Sequence, residues 1–201
     1  MLERENTPDE EWIQTSHYRK RLEIDSSMLK DTKADVFCTH PYPMRFSSNG
    51  RIVPATIESG FKICHPSIGW TVMESVVKEM GSWRECSEWD TWKNLSSMPA
   101  AINTYAMRYG LLKTYWTWLY ERMNAIEERM PKDDPAYKTA YQSRWGGFLS
   151  ERLFSFWCWS RGWRGEIEHD EVPLVIFNGF KPFGDGDERR MTIEERERYF
   201  R

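Results

Sequence analysis

A stretch of aromatic residues that encloses two arginines and a glutamate constrains the fold of this chain more than any other segment. It runs from Tyr141 to Phe154 and has a Gly-Gly pair near its middle. Read as a helix from about Gly147, it has an apolar face beside which Glu151 and Arg152 must find partners. Two interpretations follow: a buried structural ion pair, which is the commoner use of such residues, or part of a ligand site. An arginine fork in a ligand site would bind phosphate or carboxylate.

Apolar periodicity predicts a mixed α/β domain. The strongest helix has apolar residues at steps of three and four from Leu112 to Met130, and it ends at Pro131. Further helices are predicted over 25–32, 66–80 and about 147–159. Strands are predicted over 12–16, 35–39, 100–107 and 172–177, with a hairpin or loop over 44–62. Only three or four strands are therefore expected among the helices.

The charge balance and the cysteines exclude several function classes. There are 28 basic and 31 acidic residues, which gives a net charge of −3 and argues against a nucleic-acid partner. None of the four cysteines forms a C-x-x-C pair, so reduced core thiols are expected rather than zinc. Neither a signal sequence nor a membrane-spanning apolar run is visible, so a cytoplasmic location is expected. A peripheral association with the membrane remains open.

A polar cluster follows the first predicted strand. His17 and Arg19 in this cluster would face the same side of an extended chain, where they could neutralise a diphosphate. The alternative is that the cluster forms a solvated basic turn, which is the more common role of such residues. His65 is interpreted as a residue that begins a helix, with a ligand contact as the alternative. His40 follows a predicted strand and could line the same crevice as His17 and Arg19, which is again the less common of its possible roles. The Trp-rich run 83–99, with at most one helical turn, is assigned to core or interface packing rather than to sugar stacking.

Three segments, taken in order, resemble a family of bacterial glycosyltransferase-type domains. Such domains occur in capsule, O-antigen and exopolysaccharide gene sets, and some are linked to galactofuranose transfer. The first segment is His17-Tyr18-Arg19-Lys20, followed by Asp35-Val36-Phe37. The second lies on the long helix and comprises Asn103, Met107, Leu111, Tyr115 and Trp118-Leu119. The third comprises Tyr141-Gln142, Arg144 and the run 147–153, followed by the strand 172–175.

The resemblance implies a GT-A-like mixed sheet flanked by helices. It also implies transfer of a hexose from a nucleotide sugar, most simply a UDP-sugar, to a glycan or lipid-linked glycan. One domain over 1–180 and a charged tail over 181–201 are expected. Family members carry a further strand-helix-strand unit before the His-Tyr-Arg strand, so the fold is expected to be incomplete at the N-terminus. A partner chain that completes the sheet is left open.

No metal or other cofactor is predicted. An Asp-x-Asp motif does not follow any predicted strand, and Asp185-Gly186-Asp187 in the tail is interpreted as a solvated loop. His17 and Arg19, with Arg144 or Arg152, are therefore expected to bind the donor diphosphate in place of a metal. Glu151 is the candidate general base, and its alternative role is a structural pair with Arg152 or Arg144. A second class of function is a non-catalytic carbohydrate- or partner-binding domain derived from such an enzyme.

Overall fold

The protein is described by a computed structural model over residues 7–15, 20–30, 32–48, 51–100, 103–131, 133–178 and 187–190. The described helices are α1 (Ile57–Cys64), α2 (Ser67–Met80), α3 (Trp83–Trp92), α4 (Tyr109–Arg129) and α5 (Trp145–Trp163), with 3₁₀ turns at Pro135–Tyr137 and Gln142–Arg144. The first strands are β1 (Trp12–Gln14), β2 (Lys20–Leu22), β3 (Val36–Thr39), β4 (Tyr42–Pro43), β5 (Arg45–Ser48) and β6 (Arg51–Pro54). The later strands are β7 (Ser97–Met98), β8 (Ala106–Arg108), β9 (His169–Val172), β10 (Leu174–Asn178) and β11 (Asp187–Arg190).

The central sheet is mixed and has the order β1-β8-β3-β9. Strand β8 is antiparallel to both β1 and β3, whereas β9 is parallel to β3, with Val36 opposite Met107 on one side and His169 on the other. All four residues of β3 are buried, as expected for a short apolar run with neighbours on both sides. A second sheet has the order β11-β10-β2, so part of the segment 181–201 pairs with the strand before it.

Two apolar cores meet at α5. On one side, Leu149, Leu153 and Phe156 pack with the buried rings of Trp70, Trp89 and Trp92 from α2 and α3. On the other side, Phe154 and Trp157 pack with Tyr115 of α4 and with Val36 and Met107 of the central sheet. Because it is enclosed on both sides, α5 holds the polar residues of its first turns in fixed positions. None of the described helices is both long and apolar enough to cross a bilayer.

The structure confirms the predicted β3, α2, α4 and α5 and corrects other elements. Residues 26–30 form a turn instead of a helix, because the Asp25 carboxylate accepts hydrogen bonds from Ser27 and Met28. Residues 83–92 of the Trp-rich run form helix α3, and Ser82 caps this helix by accepting a hydrogen bond from the backbone N–H of Glu85. The predicted last strand is two strands, β9 and β10, that Pro173 separates. Strands are thus more numerous than the three or four predicted.

The loop between β7 and β8 runs along the first half of α5. The Ser155 hydroxyl donates to the Pro99 carbonyl, and the Asn103 amide donates to the Ser150 hydroxyl over 2.7 Å. Between these two anchors, Ala100 has a φ of +47°, a left-handed conformation that a residue with a side chain adopts only at some cost. The loop is therefore held against α5 at the end of the central sheet.

Candidate functional site

The first turns of α5 present a charged pair beside α1. Arg152 donates from Nη1 to Glu151 Oε2 over 3.1 Å, and the two side chains are 11% and 28% exposed. The guanidinium lies 5.4 Å from the ring centre of Phe61, while its Nε is buried without an acceptor. Burial lowers the pKa of Arg152, and the Glu151 carboxylate opposes that shift. The group is therefore a desolvated cation with unused hydrogen-bonding capacity.

The phenol of Tyr42 lies in the electrostatic field of Arg152. The short β4–β7 ladder holds Tyr42 opposite Met98, at the start of the loop that runs along α5. Burial raises the pKa of Tyr42, and the charges of Arg45 and Arg152 oppose the shift. At neutral pH the phenol is uncharged, so it adds no second charge beside the guanidinium.

An aromatic cluster that contains His65 packs against the first turn of α5. The imidazole stacks on Phe148 at 4.1 Å between ring centres, and it also lies near Phe61 and Tyr141, at 4.7 and 5.8 Å. Its Nδ1 is 3.2 Å from Oε1 of Gln142, whose amide nitrogen donates to the Cys64 carbonyl. Burial lowers the pKa of His65 to about 4, so the ring is neutral at pH 7.

The placement of His65 corrects one expectation. Its backbone N–H donates to the Phe61 carbonyl, so His65 is the C-cap of α1, and the N-cap of α2 is Pro66. The interpretation of His65 as the start of a helix was therefore wrong. The exposed His40 has Nδ1 3.1 Å from a carboxylate oxygen of Glu171.

The predicted donor-binding residues have different outcomes. Arg144 is exposed and its guanidinium lies 5.8 Å from the Phe148 ring, so Arg144 and Arg152 flank one aromatic cluster. His17 and Arg19 lie outside the described residues. The described residue before them, Thr15, donates its backbone N–H to the Tyr105 carbonyl over 2.7 Å. This hydrogen bond places the end of β1 beside the loop that contacts α5.

Sequence reasoning missed Tyr42 and the enclosing role of His65. Tyr42 stands in the unusual run Pro41-Tyr42-Pro43 directly after a buried strand, which is a weak signal for a residue at the sheet edge. Apart from Phe61, the partners of His65 are more than 70 residues away in sequence, and no local pattern marks them. In the part of the chain that the structure describes, no group of three His, Cys, Asp or Glu residues could hold a metal ion.

Comparison with known proteins supports this architecture. The family described as "Domain of unknown function (DUF4422)" matches residues 4–162. Among solved structures, the chain is similar to the apo structure of WbbM, a bifunctional glycosyltransferase, with a TM-score of 0.68 and 15% identity. The match covers 90% of this chain but 37% of that one, so the chain spans little more than a third of its length. No curated protein matches the chain. The predicted mixed sheet with flanking helices, similar to a glycosyltransferase, is confirmed.

Proposed function

We propose that this chain, which belongs to the DUF4422 family, is a glycosyltransferase domain. It transfers a hexose, with galactofuranose as one candidate, from a UDP-sugar to a glycan or lipid-linked glycan in surface polysaccharide synthesis. The reaction takes place in the cytoplasm or at the membrane surface. The observation that carries the proposal is the Arg152–Glu151 pair, a desolvated cation beside a partly buried carboxylate in a glycosyltransferase-like fold.

Arg152 binds the donor diphosphate in this proposal. As the bond between the anomeric carbon and the diphosphate oxygen breaks, negative charge develops on the leaving nucleotide. A guanidinium that is already desolvated stabilises that charge strongly, because little solvent must be displaced during the reaction. Tyr42 adds no charge beside it, and Arg144, His17 and Arg19 add positive charge around the same ligand.

Glu151 acts on the acceptor. Its carboxylate takes the proton of the acceptor hydroxyl while the hydroxyl oxygen forms the new bond to the anomeric carbon. The bond to Arg152 orients the carboxylate and couples it to the group that binds the leaving diphosphate. The two neighbouring side chains thus serve the two ends of one displacement.

Transfer assays on Glu151→Gln test this assignment. With UDP-galactose or UDP-galactofuranose and a lipid-linked glycan acceptor, transfer is expected to fall at least ~100-fold, the usual effect of losing a general base. The melting temperature is expected to stay nearly unchanged, because the amide keeps the shape of the carboxylate. Glu128→Gln, on the exposed face of α4, is the matched control. A large loss of stability, with activity per folded molecule retained, would show that Glu151 is structural.

A carbohydrate-binding domain without transferase activity is the second candidate. The exposed ring of Tyr141, 4.9 Å from the Phe148 ring, favours it, because sugar faces stack on exposed aromatic rings. Calorimetry separates the two candidates. Phosphate-dependent binding of UDP and UDP-sugars supports the enzyme, whereas binding of glycans with no affinity for any nucleotide supports the binding domain.

A further inference from the structure

Unpaired polar atoms concentrate at one edge of the central sheet. Oγ1 of Thr39, at the end of β3, and Oγ1 of Thr104, just before β8, are buried without a hydrogen-bond partner. The two threonines are 6% and 0% exposed. Oδ1 of the adjacent Asn103 is also buried and unpaired. Each such atom costs stability, so several at one edge indicate a place kept for a ligand rather than for folding.

The register of the sheet brings these atoms to the same end. Because β3 and β8 are antiparallel and Phe37 lies opposite Ala106, Thr39 and Thr104 both lie beyond that pair at the same edge. Side chains alternate along a strand, so Thr104 shares the sheet face of Ala106 while Asn103 turns toward α5. There its amide donates to Ser150, whose hydroxyl donates onward to the Gly147 carbonyl.

The loop that carries Asn103 contains a residue in an unfavourable backbone conformation. It is anchored on α5 at Pro99 and Asn103, and it contains the left-handed Ala100 between those anchors. Backbone strain that surrounding contacts maintain is typical of binding sites. Asn103 and Ser150 are themselves partly exposed, so a ligand can reach this edge from the solvent.

We propose that Asn103, with Ser150 beside it, forms the subsite that recognises the hydroxyl groups of the transferred sugar. The inference rests on the proposed glycosyltransferase function and adds the residues that read the sugar. An amide oxygen accepts hydrogen bonds, and the hydroxyl of Ser150 donates or accepts them. Sugar hydroxyls match this set because each can donate and accept. A phosphate has only acceptors and suits Arg152 of α5 instead.

Asn103→Ala and Thr104→Val test the subsite by calorimetry with UDP and UDP-galactose. Asn103→Ala is expected to weaken UDP-galactose binding about 5- to 10-fold, the value of one lost neutral hydrogen bond, and to leave UDP binding unchanged. Thr104→Val replaces an unpaired hydroxyl on the opposite sheet face with a methyl group of equal size, so it is expected to raise the melting temperature and to leave UDP-galactose binding unchanged. Asn94→Ala, which removes an exposed amide at the end of α3, is the matched control.

The other outcomes overturn the proposal in distinguishable ways. Equal weakening of UDP and UDP-galactose would assign the edge to the nucleotide and not to the transferred sugar. Unchanged UDP-galactose binding in folded Asn103→Ala would show that the unpaired amide oxygen has no part in recognition. If the wild-type protein binds neither UDP compound, the proposed function fails. In that case saturation-transfer NMR with free galactose tests the subsite separately. A galactose signal that Asn103→Ala abolishes would support the sugar subsite, and the absence of any signal in the wild-type protein would overturn it.

Discussion

Among the arginine–glutamate pairs of the described residues, Arg122–Glu85 and Arg152–Glu151 have similar chemistry. Arg122 of α4 donates to Glu85 of α3 over 2.9 Å, with side chains 5% and 16% exposed. Its guanidinium lies 4.1 Å from the ring centre of Trp118. In both pairs the guanidinium rests on an aromatic ring, and in both the arginine Nε is buried without an acceptor. Burial lowers the pKa of Arg122, as it does for Arg152.

The pairs differ in what their hydrogen bonds join. Glu85 and Arg122 are 37 residues apart, so their bond connects two helices, and Glu85 also accepts from the indole of Trp118. The Arg152–Glu151 bond joins adjacent residues of one helix. A bond between chain neighbours fixes little tertiary structure, although desolvating its charges still costs free energy. Position in the chain therefore separates a structural pair from a candidate functional one.

The largest expected effect concerns the structural pair. Arg122→Met should lower the free energy of unfolding by about 3–5 kcal/mol, because it leaves Glu85 buried without its cation. Urea denaturation followed by tryptophan fluorescence measures this loss. Glu79→Gln, which breaks an exposed bond to Arg129, is the control and should change stability by less than about 1 kcal/mol. If Arg122→Met lowered the free energy of unfolding by as little as Glu79→Gln does, the contrast between the two pairs would disappear.

The effect of acid on the stability of the protein bears on the comparison of the two pairs, because the His65 ring packs on Phe148, one turn before Arg152 on α5. The folded-state pKa of His65, about 4, lies below its ordinary 6.5, so the unfolded chain binds a proton more readily. The resulting stability is present above pH 6.5 and falls with pH toward 4. The loss between pH 7 and pH 5 should be about 2 kcal/mol.

His65→Phe tests this pH dependence. The phenyl ring keeps the stacking on Phe148 but cannot be protonated, so the loss of stability between pH 7 and pH 5 should shrink by most of that amount. Denaturation curves of both proteins at the two pH values give the comparison. The same slope in the variant would show that other groups cause the acid sensitivity.

The smallest expected effect on stability concerns the candidate functional pair. Arg152→Met retains the apolar contact with Phe61 and leaves Glu151 partly exposed to water, so the loss should be about 1 kcal/mol. The measurement is the same denaturation assay as for Arg122→Met. A loss as large as that of Arg122→Met would identify Arg152 as a second structural anchor.

The sequence predicts those parts of the fold that depend on local patterns. Helix α4 follows from its apolar period, and β3 from its short run of apolar and β-branched residues. Helix α3 was missed because its tryptophans hide the period, although Ser82-Trp83-Arg84-Glu85 is the spacing of a capping box. The split between β9 and β10 was missed because Pro173 was read as part of one strand.

The candidate site was predictable only where its members are neighbours in the chain. Glu151 and Arg152 pair as adjacency suggests, and Asn103 belongs to a recognisable motif. Their surroundings depend on tertiary contacts: Gln142 meets His65 across 77 residues, and Asn103 meets Ser150 across 47. No local sequence pattern indicates which residues so far apart in the chain will meet. The positions of Tyr42 and His65 in the site are therefore known only from the folded chain.

Titration calorimetry with UDP tests the central claim most directly. Wild-type protein, Arg152→Met and Arg122→Met are compared at equal concentrations of folded molecules. The account predicts similar dissociation constants for the wild type and Arg122→Met, and one at least ~10-fold weaker for Arg152→Met, since a charge-assisted hydrogen bond is worth about 1.5–3 kcal/mol. Unchanged UDP binding by Arg152→Met would contradict the account and make both pairs structural.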